Sequence, residues 1–132
     1  MVDDDPEVRK ALVLAFGTIC EVLEASTGEE ALRILDSERP RLMLLDMVLP
    51  GMSGLEVLRA SQAIVAAMSV IVLTAENDMV LAMQALDLGA VEYVTKPFDW
   101  DRLKDAVKRR MEAVSPEVNG GPPWRVDDQT RD

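Results

Sequence analysis

The sequence, 132 residues long, contains no histidine. A mechanism that needs imidazole as base, phosphate carrier or metal ligand is therefore closed to this chain. Only one cysteine is present, Cys20. That excludes an internal disulfide and suits a reducing compartment, so a cytoplasmic location is expected. Cys20 itself reads as a small apolar side chain for the core. Positive charge is scarce: 14 Lys and Arg stand against 24 Asp and Glu, a formal net charge of -10. Nucleic acid is not an expected partner, because phosphate contacts need Lys and Arg.

A long apolar run is also missing. The longest uncharged stretch, ASQAIVAAMSVIVLTA, covers residues 60–75. A membrane span needs about 20 predominantly apolar residues, and Ser61, Gln62 and Ser69 interrupt this one. It reads as a helix end leading into a buried strand, and no membrane partner is expected. Ile64, Val65 and Met68 lie in a connection almost devoid of turn residues and are expected to pack under the sheet. The chain opens on acidic residues, whereas a secretory leader opens basic and continues apolar.

What is present describes one domain, large enough to bury a core without disulfides or metal staples. Asp5 followed by Pro6 starts a helix: a capping carboxylate, then a residue whose missing N–H costs nothing there. Val8, Ala11, Leu12, Ala15 and Phe16 recur at helical spacing, and Gly17 ends the helix. CEVLEAS, residues 20–26, approximates the alternation of a half-buried strand. Thr27 with Glu30 predicts a capping box for a helix that Pro40 closes, and Ser53 with Glu56 predicts another. LMLLD and VIVLT are continuous apolar runs, the signature of strands covered on both faces. Asn77 or Asp78 is placed to cap a helix over Met79–Leu88, and Gly89 sits where a helix end wants positive φ. VEYVT is the last strand, and Asp99 caps a last helix carrying Leu103, Ala106, Val107 and Met111. Regular alternation of strand and helix predicts an α/β fold with a parallel sheet. From Ser115 the text turns rich in Pro, Gly and charge and reads as a flexible tail or linker, residues 115–132.

In open parallel sheets the ligand crevice lies at the carboxyl ends of the strands. The polar residues that terminate apolar segments here are Asp3 and Asp4, Asp46, Thr74 and Lys96. Singly, each is an ordinary turn or surface residue. Together, they place carboxylates, a hydroxyl and an ammonium at one sheet end. Clustered carboxylates repel and take up protons unless a cation sits among them. With oxygen ligands only, Mg²⁺ fits best. A magnesium site flanked by a lysine and a hydroxyl is equipped to hold a phosphoryl group, and a remaining carboxylate can attack it.

The stretches VDDDPEV, LLDMVLPGMSGLEVL, VIVLTAEND and GAVEYVTKPF, in this order and spacing, resemble the response-regulator receiver domain of two-component signalling. The resemblance runs from Val2 to about Val114, so residues 1–114 read as one receiver domain. It implies a three-layer, flavodoxin-like fold with a parallel sheet of order 2-1-3-4-5. It implies Asp46 as phosphoacceptor for a histidine kinase, and Asp3, Asp4, Asp46 and the Val48 backbone carbonyl as Mg²⁺ ligands. Thr74 and Tyr93 would be the switch residues, Lys96 the phosphate-binding lysine, and Lys96–Pro97 a cis bond. Asp5 stays outside the site, as the helix cap.

One departure stands out. Only Met1 and Val2 precede the acidic pair, so the first strand, central in that order, looks truncated. Unpaired buried backbone groups would cost about 1–3 kcal/mol each. The helix after Thr74, DMVLAMQALDLG, carries more apolar residues than one inward stripe needs. With the last strand and last helix (the family's fourth helix, fifth strand and fifth helix) it is the expected surface for a phosphorylation-dependent homodimer or output partner. Two other readings remain. A Mg²⁺-dependent phosphatase with an aspartyl intermediate would want an acid two residues after Asp46, where Val48 stands. A degenerate receiver used only for docking would not need the full set of site residues.

Overall fold

The computed structural model describes residues 1–75 and 77–114. Three of the apolar runs form parallel strands: β1 (Leu42–Asp46), β2 (Ser69–Ala75) and β3 (Glu92–Lys96). They hydrogen-bond in the order β1-β2-β3, with Asp46 opposite Leu73 and Thr74 opposite Thr95. The helices are α1 (Pro6–Phe16), α2 (Gly28–Glu38), α3 (Gly54–Ala60), α4 (Gln62–Val65), α5 (Met79–Asp87) and α6 (Trp100–Val114).

The two-residue period of β2 divides the core. Val70 and Val72 join a cluster with Ala31, Leu35, Leu55, Leu58, Val65 and Ala85, the inner faces of α2 to α5. Ile71 and Leu73 point the other way, to Leu12 and Phe16 of α1 and Leu103, Ala106 and Val107 of α6. Helices thus cover both faces of a parallel sheet, which is the α/β three-layer architecture. All four β2 side chains are fully buried, each stabilising the fold by about 1.5–3 kcal/mol. Val65 is buried, and Ile64 and Met68 pack against the first cluster, as the sequence predicts.

The order 2-1-3-4-5 is present in outline, with its first two strands reduced to bridges. Val2 makes isolated parallel bridges to Ala25 on one side and Leu45 on the other. Its N–H donates to Leu44 at 2.8 Å, and its carbonyl accepts from Asp46 N at 2.9 Å. Across the other edge Ala25 N donates to Met1 O, and Asp3 N to Ala25 O. The strand expected over 20–26 is therefore corrected to a single bridge at Ala25. Strand geometry needs a paired neighbour, and only Met1 to Asp3 lie alongside.

Caps follow the sequence with two corrections. The Asp5 carboxylate accepts from Glu7 N, and Ser53 with Glu56 forms a complete capping box. Thr27 accepts from Glu30 N at 3.1 Å, but the Glu30 carboxylate reaches Ser26 N and Oγ instead of closing the box on Thr27. Asp78 sits at the start of α5 without a side-chain cap bond. Asp99 accepts from Asp101 N and Arg102 N at the head of α6. Gly89 has φ +108, where a Cβ would be strained. The tail expected over 115–132 lies outside the described residues.

Candidate functional site

The carboxyl ends of the strands bring the acidic residues together. Asp3 follows the Val2 bridge, Asp46 closes β1 and Lys96 closes β3. Asp3, Asp4 and Asp46 each offer an oxygen within 4.8 Å of the others. Asp3 is fully buried, Asp46 is 6% exposed and Asp4 faces solvent.

Local structure fixes each group. Asp3 Oδ1 accepts from Asp5 N at 2.9 Å, a turn that aims its other oxygen inward. Asp46 Oδ1 accepts from Val48 N at 3.0 Å. Both remaining Oδ2 atoms accept from Lys96 Nζ, at 2.8 Å from Asp3 and 3.0 Å from Asp46. The ammonium also lies 5.9 Å from the centre of the Phe98 ring. Lys96–Pro97 is cis, as expected. Behind Asp46 the start of α3 comes very close. A Cβ on Gly54 would stand 2.7 Å from the Asp46 carbonyl oxygen and 2.8 Å from Met47 Cα, so only glycine fits.

Burial raises the pKa of Asp46, and nearby Asp3 adds to the rise; the Val48 N–H and Lys96 oppose it. For Lys96, burial works against the charge, but the hydrogen bonds and attraction of Asp3 and Asp46 outweigh it and its pKa is raised. Three carboxylates and one ammonium leave two negative charges uncompensated. That residue of charge, held on oxygens alone, fits a hard divalent cation.

Of the other expected residues, Val48 touches Asp46 through its N–H, while the Thr74 hydroxyl bonds to backbone carbonyls instead. Thr74 is buried, and its hydroxyl makes only long bonds, 3.4 Å to Ala75 O and 3.5 Å to Asp78 O. Tyr93 is half-buried on β3 against the first core cluster. The Val48 side chain is 63% exposed beside Asp46. One contributor escapes sequence reasoning: Arg9 of α1 donates from Nη1 to the Asp3 carbonyl at 2.8 Å and from Nε to Glu24 at 3.3 Å. Its six-residue offset from Asp3 is the one signal, and it means little until α1 is known to fold back over the site.

The family model of the response regulator receiver domain matches residues 1–108. The chain belongs to the response regulator receiver domain family. It is 38% identical over 112 residues to sporulation initiation phosphotransferase F of Bacillus subtilis, covering 84% of this chain and 90% of that protein. To the transcriptional regulatory protein KdpE of Mycobacterium tuberculosis it is 41% identical over 119 residues, 86% of this chain but 52% of that protein. Among solved structures, a receiver domain from Clostridium thermocellum superposes with a TM-score of 0.76 at 31% identity, covering 83% of this chain and 89% of that one. The receiver domain of NtrX from Brucella abortus gives 0.78 at 27% identity, covering 84% and 95%. In this receiver the acidic cluster lies at the carboxyl edge of the sheet, with Asp3 and Asp46 buried and Asp4 exposed. No helix among the described residues is long and apolar enough to cross a membrane.

Proposed function

We propose that residues 1–114 accept a phosphoryl group on Asp46 from a histidine kinase, in a Mg²⁺-dependent reaction, and that residues 115–132 link or trail the domain. The observation that carries this reading is the Asp46 carboxylate, buried at a strand end, bridged by Lys96 to Asp3 and clustered with Asp4.

Asp46 has one oxygen held by Val48 N and the other by Lys96, so the carboxylate is oriented before a donor arrives. Pre-set geometry of this kind lowers the entropic part of the barrier. An Asp46 oxygen attacks phosphorus, an O–P bond forms, and the P–N bond to the donor's imidazole breaks. The imidazole leaves with the electron pair and takes up a proton. Asp3, Asp4, Asp46 and the Val48 carbonyl would hold Mg²⁺, which supplies charge neutralisation to the phosphoryl oxygens. Lys96 then exchanges its Asp46 contact for a phosphoryl oxygen while keeping Asp3. Thr74, poorly bonded as it stands, is free to turn its hydroxyl to the phosphoryl group, and Tyr93 follows into the space released. Such discrete repacking transmits a local charge change to a surface.

The test is mass spectrometry after incubation with acetyl phosphate and Mg²⁺. One phosphoryl group on Asp46 is expected in the wild type and none in Asp46→Asn. Persistent labelling of that variant overturns the assignment. Labelling that turns over continuously to inorganic phosphate within seconds favours the phosphatase reading.

A further inference from the structure

Every polar group of Asp3 is engaged. Its N–H donates to Ala25 O at 3.1 Å, while Oδ1 accepts from Asp5 N at 2.9 Å and Oδ2 from Lys96 Nζ at 2.8 Å. Its backbone carbonyl, which begins the peptide link to Asp4, accepts from Arg9 Nη1 at 2.8 Å. Asp46 is likewise held at both carboxylate oxygens. Asp4 differs. It is exposed, and among the described residues its carboxylate accepts no hydrogen bond, yet it clusters with the other two. Its place is set by the backbone that carries it, and first by the plane of the Asp3–Asp4 peptide.

Arg9 is itself a fixed group. Its N–H closes the first turn of α1 on Asp5 O at 3.1 Å, and the Asp5 carboxylate caps that turn. Its Nε donates to Glu24 at 3.3 Å, and its side chain is only 20% exposed. A planar guanidinium held at Nε aims its other donors in a set direction, which the flexible stem of a lysine does not. A charged donor also bonds a carbonyl more strongly than a neutral one. Rotation of the Asp3–Asp4 peptide breaks that bond and carries Asp4 with it.

We propose that Arg9 is a positioning residue for the cation site: it locks the Asp3–Asp4 peptide, so that Asp4 already stands beside Asp3 and Asp46 when Mg²⁺ arrives. The inference rests on the magnesium reading given above. Two effects of Arg9 on a cation oppose each other. Its charge repels, and its bond pre-orders a ligand. The charge is offset by Glu24 at 3.3 Å. It is also felt at Glu30, whose carboxyl is held low chiefly by the Ser26 N–H. Salt screens what remains. The bond has no substitute, so ordering wins. Removing Arg9 therefore weakens Mg²⁺ binding, the reverse of what loss of a repelling charge gives.

The test is a Mg²⁺ titration of the full chain, followed by NMR at the amides of Asp5, Asp46 and Val48 with no phosphodonor present. A saturable shift is expected in the wild type. Arg9→Met keeps an unbranched stem without donor or charge, and should raise Kd about tenfold, the loss of one charge-assisted hydrogen bond. Arg9→Lys, which keeps the charge, should recover only part of that loss. Glu24→Gln leaves Arg9 in place but loosens its aim, and should raise Kd by a smaller factor. The metal-free spectrum of each variant shows whether it is folded, so Kd is read on folded protein. In labelling by acetyl phosphate, the Mg²⁺ needed for half-maximal rate should rise with Kd, and excess Mg²⁺ should restore the rate. Tighter or unchanged Mg²⁺ binding by Arg9→Met overturns the proposal. So does full recovery in Arg9→Lys, since charge alone then suffices. If Arg9→Met does not fold, wild-type affinity in both Arg9→Lys and Glu24→Gln overturns it. A wild type without a saturable shift sinks the magnesium reading and this inference with it; a responsive wild type with unchanged variants sinks this inference alone.

Discussion

Asp3 and Lys96, 93 residues apart in the chain, are joined by a 2.8 Å ion pair whose acidic partner is fully buried. The lysine reaches Asp46 as well, at 3.0 Å. One ammonium therefore ties Asp3 to the carboxyl ends of β1 and β3. Buried pairs of this sort are costly to break, because removing one partner strands the other charge.

Replacing Lys96 tests what that tie does. Lys96→Ala is expected to keep Asp46 labelling by acetyl phosphate while abolishing the conformational response, read as a change in the Tyr93 environment by fluorescence or NMR. A response of wild-type size in Lys96→Ala would remove the lysine from the switch.

Mg²⁺ should stabilise the fold. Two uncompensated negative charges favour the cation-bound native state, and binding to that state alone adds about 2.7 kcal/mol at a hundredfold excess over Kd. A saturable rise in Tm is expected in the wild type and should be lost in Asp3→Asn. An equal rise in both would place the cation elsewhere.

Val48 presents an aliphatic side chain, 63% exposed, two residues past Asp46. It offers nothing to orient an attacking water. The phosphorylated chain should lose its label slowly, and Val48→Glu should lose it several-fold faster, measured by phosphate release. A wild-type lifetime of seconds would contradict this.

Glu30 is held below its ordinary pKa of 4.5, first by the Ser26 N–H and then by the Ser26 hydroxyl and nearby arginines. A depressed carboxylate stabilises the native state above its ordinary pKa and loses that contribution as pH falls through the lowered value. Glu30→Gln should be less stable than wild type at neutral pH, and the gap should close below pH 4.5. Urea midpoints across that range measure it, and a gap independent of pH would refute the linkage.

On α5, Met79, Val80 and Met83 are 40%, 73% and 55% exposed, while Ala82 and Ala85 face the core. We propose this apolar outer face as the surface through which activated copies pair. With beryllofluoride, an acyl-phosphate mimic, the wild type should dimerise through Met79, Met83, Leu86 and Tyr93, and Met83→Glu should stay monomeric. Unchanged sedimentation in both leaves no role for homodimerisation.

Much of this was legible in the residues because burial and capping are local. LMLLD and VIVLT announced β1 and β2, since only strands covered on both faces tolerate such runs. The meeting of Asp3, Asp4, Asp46 and Lys96 followed from what ends each run. Segment 20–26 misled because its alternation is real while its ladder partner is short, and a strand cannot be read from one side of a pair. Glu30 misled for a related reason: the motif names the residues, but the turn at Ser26 decides which N–H the carboxylate meets. Arg9 was illegible, because its target is a backbone carbonyl brought near only by the path of α1.

The ammonium shared by Asp3 and Asp46 has a further consequence. Asp46 and Lys96 ride on strands locked in one unbroken ladder, so neither strand end shifts alone. The Lys96 side chain is the movable member, a flexible stem between two held carboxylates. A charge change at either aspartate is then felt at the other through where the one ammonium comes to rest.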